Sequence, residues 1–500
     1  MRSERFSTSE EIKGVLASLR RGEGGPVLHR DNGENFVYAQ EGHQLILGVS
    51  GAGKSRRGTM PQLRSLIEAG ESAVCIDPKG ELFKGTACFC EKTHHVRTIN
   101  FRNPAQSQSW NPLAFPQALY ARGERGAAQQ MVQEIVFNLT GDNSPNTDRF
   151  WVDSERNLLS AILNILMVYA SKEQCNFAEM LNIITQDWAS ARQDDQTVSG
   201  GYLSDIMETL PPDSPAKQLL SGYVNLTAKT TKSCIMTEVS NNISRFCTTE
   251  DVVAMTSGDD LDLADMDADE PFVLYIILPD DSVVFNVLSG LLVSQVTQRL
   301  IKLADLKYNG KLPIRVNFIL EELGNIGHSI SGLPFLMTAS RSRNIRMTLV
   351  LQALSQLESI YGRSRGDTIL SCADVWVCYR TMDLGTLAVL SRKCGEKTIR
   401  AGDIRLVQPL LTESQLMAME TGQALVFISG RIKYIEHFPD YTEMFPCGGW
   451  HEVQIPNAVK NAAHKPISMI ELKNSIAASK KASSATSFYR KKLFEEGVDL

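Results

Sequence analysis

Gly48-Val-Ser-Gly-Ala-Gly53-Lys54-Ser55 satisfies every fixed position of the phosphate-loop pattern G-x-x-x-x-G-K-[ST]. The run before it, His43-Gln-Leu-Ile-Leu47, is short and apolar and reads as a buried strand. After Ser55, Met60, Leu63, Leu66 and Ile67 recur at helical spacing. Strand, glycine loop and helix in that order turn backbone N–H groups towards a polyphosphate at a helix N-terminus. Gly51 and Gly53 supply the positive φ that such a loop needs. Gly48, Ser50, Gly51, Ala52, Gly53, Lys54, Ser55 and the following Arg56 are therefore the nucleotide-binding candidates. Lys54 is expected on the β- and γ-phosphates, and the Ser55 hydroxyl on a magnesium ion.

The chain has 500 residues, long enough for two to four domains, and a net charge of −6. That charge excludes a global basic footprint, so any nucleic-acid contact must come from local patches. The ten cysteines include no C-x-x-C pair, which argues against zinc and disulfide frameworks. No apolar run reaches the length of a membrane span, and the start Met1-Arg-Ser-Glu-Arg5 lacks a signal-peptide core. The expectation is a cytoplasmic chain that meets a membrane only through partners.

Five segments are expected. Residues 1–40 form a polar lead-in with one helix near Glu10–Leu19. Residues 41–125 begin a nucleotide-binding domain, in which Ser72–Ile76 and His95–Ile99 read as strands. Residues 126–248 switch to helical periodicity and form an inserted all-α domain. Residues 249–450 resume the α/β pattern, with strands at Phe272–Leu278, Ile314–Leu320, Met347–Leu351, Asp374–Tyr379 and, last, Ala424–Ile428. Residues 451–500, rich in Ala, Ser and Lys, form a mobile tail that includes Ser479-Lys-Lys-Ala-Ser-Ser484.

The strand Ile314–Leu320 ends in Glu321-Glu322. A strand closing on two acids is the second requirement of nucleotide hydrolysis, one carboxylate for the metal and one for the attacking water. Glu321 is assigned to the metal, as Ser55 is, and Glu322 to the water. Asp77, at the end of Ser72–Ile76, has two readings: the metal shell or attacking water, or a turn built from Asp77-Pro-Lys-Gly80. Gln352 ends another strand and either senses the γ-phosphate or makes a turn contact. Arg341, Arg343 and Arg346 are either an arginine finger reaching a neighbouring subunit or a solvated basic face.

These motifs together resemble the type IV secretion coupling proteins, the TraG/TraD group of conjugative ATPases. The shared stretches are Gly48–Ser55, Asp77–Leu82, Trp110–Leu113, Phe150-Trp151 before Asn157-Leu-Leu159, Phe318–Gly327, Arg341–Arg346, and Leu351-Gln352 with Gln356-Leu357 and Tyr361-Gly362. The resemblance spans most of residues 40–445 and draws Asp77 towards the active site. It implies a RecA-like P-loop NTPase motor domain with an inserted all-α domain, ATP and Mg2+ as cofactors, and a homo-hexameric ring. It further implies DNA, single- or double-stranded, a relaxase or other secreted substrate, and channel ATPases and membrane components as partners. Carried over by position, Lys54 and Ser55 serve phosphate and magnesium, and Glu321 and Glu322 serve metal and water. Arg341 matches the interfacial arginine and Gln352 the phosphate-sensing glutamine. Two departures stand out: members of the group usually begin with transmembrane helices, and they usually carry Asp where Glu321 stands.

Three functions fit. The first is a motor that drives relaxase-bound DNA to a secretion channel by ATP hydrolysis. The second is a nucleotide-binding receptor with little turnover. The third is a general RecA-like DNA translocase, against which the helical insertion argues.

Overall fold

The computed structural model describes residues 4–19, 22–141, 148–280, 284–325, 330, 332–401, 404–430, 432–446, 448–455, 466–468 and 470–481. The chain divides into two compact units, Met1–Arg102 with Met266–Ile455, and Asn103–Asp265 with Pro456–Leu500.

The first unit is built on a nine-stranded sheet. Its strands in chain order are β1 (His43–Leu47), β2 (Ser72–Asp77), β3 (His95–Asn100), β4 (Phe272–Ile277), β5 (Val316–Leu320), β6 (Ile345–Leu351), β7 (Ala373–Tyr379), β8 (Gln423–Ile428) and β9 (Ile432–His437). Across the sheet they run β9-β8-β7-β1-β6-β5-β2-β4-β3. The seven from β7 to β3 are parallel, and β8 and β9 are antiparallel. Every residue of β1, β2, β4, β5 and β6 is buried. That is the signature of strands covered on both faces, and it is why apolar residues dominate them without a polar-apolar alternation.

The register decides where the motifs meet. Leu47 pairs with Leu351, Leu320 with Leu349, and Leu320 with Ile76. The residues that follow are Gly48, Gln352, Glu321 and Asp77. They therefore leave the sheet along one edge, at the carboxyl ends of four adjacent parallel strands. The chain crosses from β1 to β2, then returns to lay β5 and β6 between them and β7 on the far side. In open α/β sheets ligands bind outside the carboxyl ends at such a switch point.

Two expectations are corrected here, and one element is added. The lead-in is more than one helix: Ser9–Lys13 is a single short helix, and Ala17–Ser18, Glu34–Val37 and Val27–Asp31 form a small antiparallel sheet. Ala424–Ile428 is not the last strand, because β9 pairs with it antiparallel. Glu396–Ala401 and Ile404–Pro409 form a hairpin that the sequence reading left unassigned.

The second unit is helical, as its periodicity predicts. Its longest helix, Arg149–Tyr169, buries Leu158, Leu159, Ile162, Leu163, Ile165 and Leu166. The Phe177 and Phe246 rings pack against each other, tilted by 32°, with centroids 5.9 Å apart. The unit runs from Asn103 to Asp265, wider than the 126–248 span read from periodicity alone. It also takes in part of the expected mobile tail. Residues 470–481 are helical, and Leu472 and Ile476 are fully buried. Residues 482–484 of the Lys/Ser run, and Ile326 and Gly327 of the Phe318–Gly327 stretch, lie outside the described residues.

Candidate functional site

The loop after β1 is pinned at its start. Gly48 N–H donates to the Leu351 carbonyl at 3.2 Å, and Val49 N–H to that of Arg380 at 3.0 Å. Gly48 must be glycine because a Cβ there would lie 2.8 Å from the Cβ of Tyr379. Gly51 and Gly53 take φ of 77° and 101°, the left-handed region where side chains are disfavoured. Lys54 folds over the loop and donates to the Gly48 and Val49 carbonyls at 2.6 and 3.0 Å. Burial lowers its pKa, and the nearby charges of Glu322 and Glu321 oppose that shift. The lysine and the two acids therefore share one electrostatic environment, although they lie far apart in the chain.

Ser55–Thr59 is a π-helical turn, closed by Met60 N–H on the Ser55 carbonyl, and an α-helix follows over Met60–Glu68. Single π turns are rare and concentrate at functional sites. Here the turn carries Thr59 to Glu321: Thr59 Oγ1 donates to Glu321 Oε1 at 2.5 Å. The Ser55 hydroxyl also acts on the Glu321 carboxyl, favouring its charged form. Burial pushes the Glu321 carboxyl up to about 7, the charge of Asp77 adds to this, and the two hydroxyls resist it. Glu322 stands at φ of 50°. That conformation costs a non-glycine residue about 1–3 kcal/mol and is tolerated where surrounding structure fixes it.

Asp77 is fully buried, and its Oδ2 accepts the Phe83 N–H at 2.9 Å. Its bonds run to the first turn of the helix Glu81–Cys90, and its charge is felt by Glu321. Burial raises its pKa to about 6 against the bonds from Phe83, Leu82 and Glu81. Gln352 leaves β6 beside the loop. Its N–H donates to Gln356 Oε1 at 2.8 Å. The Gln356 side chain also lies against Gly324, where a Cβ would approach its Cδ to 2.2 Å. Gln356 thereby ties the turn after Glu322 to the turn after Gln352.

The remaining candidates are placed elsewhere. Arg56 is held by Asp440. Arg341 pairs with Asp374 at 3.1 Å, at the amino ends of β6 and β7. Those strands run seven residues each, so the pair sits about 20 Å from the loop edge. Arg343 pairs with Asp305, and Arg346 is buried, donating to the Tyr38 carbonyl at 3.1 Å. Of the three arginines only Arg341 is more than half exposed, at 55%.

Thr59 and Asp440 carry no role in the sequence reading, and Gln356 enters it only as part of a shared stretch. The i+4 spacing of Ser55 and Thr59 puts both hydroxyls on one helix face, and was the one available signal.

The donor set can be tested against a cation. Among the described residues no group of three or more His, Cys, Asp or Glu is placed to hold a metal ion. Magnesium in nucleotide sites asks for less: one or two hard oxygen donors from the protein, with phosphate and water completing the shell. Ser55 and Glu321, close enough for the hydroxyl to act on the carboxyl, fit that requirement.

The model of the type IV secretory system conjugative DNA transfer family matches residues 4–437. The chain belongs to this family. No curated protein sequence matches it. Among solved structures, the conjugative coupling protein TrwBdeltaN70 in an unbound form is similar, with 17% identity over 89% of this chain and 95% of that one and a TM-score of 0.62. TrwB in complex with the ATP analogue ADPNP is similar at 15% identity, over 93% and 97%, with a TM-score of 0.61. TrwB in complex with ADP and Mg2+ is similar at 16% identity, over 94% and 97%, with a TM-score of 0.62. This conjugative DNA transfer protein thus has the RecA-like P-loop fold with an all-α unit. Among its described residues no helix is long and apolar enough to cross a membrane.

Proposed function

We propose that this member of the conjugative DNA transfer family is the coupling ATPase of its system. It binds ATP and Mg2+ on Gly48–Ser55, hydrolyses the nucleotide, and drives relaxase-bound DNA to the type IV secretion channel as a homo-hexameric ring. The observation that carries this reading is the convergence of the phosphate loop and the strand end at Glu321, where Ser55 acts on Glu321 and Lys54 feels both acids. The nucleotide complexes of TrwB support it, since those proteins share the fold.

The residues divide the work. Lys54 exchanges two neutral carbonyls for the β- and γ-phosphates, a gain because charge-assisted bonds are stronger than neutral ones. The N–H groups of Gly51 and Gly53 line the phosphate side of the loop, while that of Ala52 donates to the Val49 carbonyl and shapes the turn. Ser55 and Glu321 hold the Mg2+, which when bound neutralises charge on the transferring phosphoryl group. Glu322, fixed by its left-handed backbone, orients the attacking water and accepts its proton. Gln352 reads the γ-phosphate from the adjacent strand end, and Asp77 keeps the helix beside Glu321 capped. Arg341, at the far edge of its own sheet, serves a neighbouring subunit's site.

The test is ATP turnover by the purified full chain with and without DNA, beside Lys54→Ala. DNA should raise the wild-type rate, and Lys54→Ala should lower it at least a hundredfold. A wild-type chain that binds DNA but shows no DNA-stimulated turnover would overturn the motor.

A further inference from the structure

Glu321 differs from the other groups of the site in being long, buried and reached from a single helix turn. Its side chain has three torsions to fix, each worth a fraction of a kcal/mol of lost freedom. It is 5% exposed and its strongest neighbour in charge is another acid, Asp77. Repulsion from Asp77 alone would turn the carboxylate away. What holds it is the π turn. Without the extra residue of that turn the helix would continue from Ser55 with α-helical bonds; with it, Met60 N–H closes on Ser55 and Thr59 Oγ1 donates to Glu321. Thr59 is itself fully buried, and its hydroxyl also approaches the Ser55 carbonyl at 3.4 Å. It belongs to no phosphate-loop consensus.

We propose that Thr59 is the positioning residue for Glu321: held by the π turn, its hydroxyl fixes one carboxylate oxygen so that the carboxylate faces Ser55 and the nucleotide's cation. This rests on the reading of Ser55 and Glu321 as the Mg2+ donors. It goes further by making cation affinity depend on a residue that never meets the cation. Groups that orient a metal ligand from behind cost about 10–100-fold in metal affinity when removed. The isosteric change Thr59→Val removes the hydroxyl alone. Thr59→Ser retains it.

The experiment measures ADP binding to the full chain by calorimetry, in EDTA and over a Mg2+ titration. The proteins are wild type, Thr59→Val, Thr59→Ser, Glu321→Gln, and Thr59→Val combined with Glu321→Gln. Thermal midpoints without ligand show that each variant is folded. Thr59→Val should bind ADP in EDTA as wild type does but need about tenfold more Mg2+ for half of the Mg2+-dependent gain. Thr59→Ser should restore the wild-type requirement. Adding Thr59→Val to Glu321→Gln should change nothing further, since the carboxylate it orients is gone. Wild-type Mg2+ dependence in a folded Thr59→Val overturns the proposal and leaves the site reading intact. An additive effect in the double variant also overturns it, because Thr59 would then act elsewhere. ADP binding by wild type that ignores Mg2+ overturns the site reading and the proposal with it.

Discussion

Arg56 and Asp440 meet as a two-pronged ion pair, Nη2 on Oδ1 at 2.5 Å and Nε on Oδ2 at 2.7 Å. Arg56 directly follows the phosphate-loop serine. Asp440 caps the helix Tyr441–Met444, and Arg57 adds a bond to the Phe438 carbonyl at 2.8 Å. Two consecutive arginines thus strap the segment after β9 onto the phosphate loop. The motif's own residues are left to face the ligand.

That strap sets a pH dependence. The Arg56 guanidinium holds the Asp440 carboxyl well below the usual carboxylate range. A carboxyl whose folded pKa is depressed stabilises the fold above its unfolded pKa, about 3.9, and loses that contribution as pH falls towards the folded value. Asp440→Asn keeps the capping oxygen and removes the charge. Since Arg56 is 53% exposed, the pair is worth about 0.5–1 kcal/mol after solvent screening. Urea midpoints should place the variant below wild type by a constant margin from pH 5 to 8. The margin should narrow progressively below about pH 4. A margin that is unchanged at pH 3 would mean the loss comes from packing and not from charge.

Arg341 gives the second prediction. It sits about 20 Å from its own phosphate loop, so it cannot act on the nucleotide that its own Lys54 holds. Arg341→Ala should leave ADP affinity unchanged and lower DNA-stimulated turnover by about a thousandfold, the scale of an arginine finger. Mixing Arg341→Ala with Lys54→Ala should then recover activity, because sites at which the one variant's Lys54 meets the other's Arg341 are intact. If the mixture stays as inactive as its parts, Arg341 is only the partner of Asp374.

The parts of the site that could be read from the sequence are those that lie on buried strands. β1 and β5 are short, buried throughout and end in Leu-Ile-Leu47 and Phe-Ile-Leu320, so the Gly48 and Glu321 that follow fall where composition says. Strand order could not be read, and it is strand order that brings Glu321 and Gln352 beside Gly48. Thr59 escaped because a π turn has no period of its own in a five-residue span. The hairpin at 396–409 escaped for another reason. Ile399, Leu406 and Val407 are exposed, so no buried face imposed a clean alternation. In the lead-in, the strand Ala17–Ser18 has only two residues, too few for any pattern. The C-terminal segment was read as mobile because its composition is that of a solvated tail, with its few apolar residues thinly spread. Burial there depends on a partner surface elsewhere in the chain, which composition does not reveal.

That surface gives the last prediction. Ile467 N–H donates to Glu179 Oε2 at 3.0 Å, Lys473 pairs with Asp205 at 2.6 Å, and Leu472 and Ile476 are fully buried in the helical unit. Two kinds of contact compete to explain the docking. The ion pair is partly solvated, with Lys473 at 34% and Asp205 at 54% exposure, and such pairs contribute at most about 1 kcal/mol. Deleting a buried leucine side chain costs about 2–5 kcal/mol, through lost transfer energy and the cavity left behind. Leu472→Ala should therefore lower the urea midpoint of the helical unit several-fold more than Lys473→Ala does. Amide exchange across 470–481 should rise with the first substitution and stay near wild type with the second. Equal effects from the two would show that charge, not packing, keeps this helix in place.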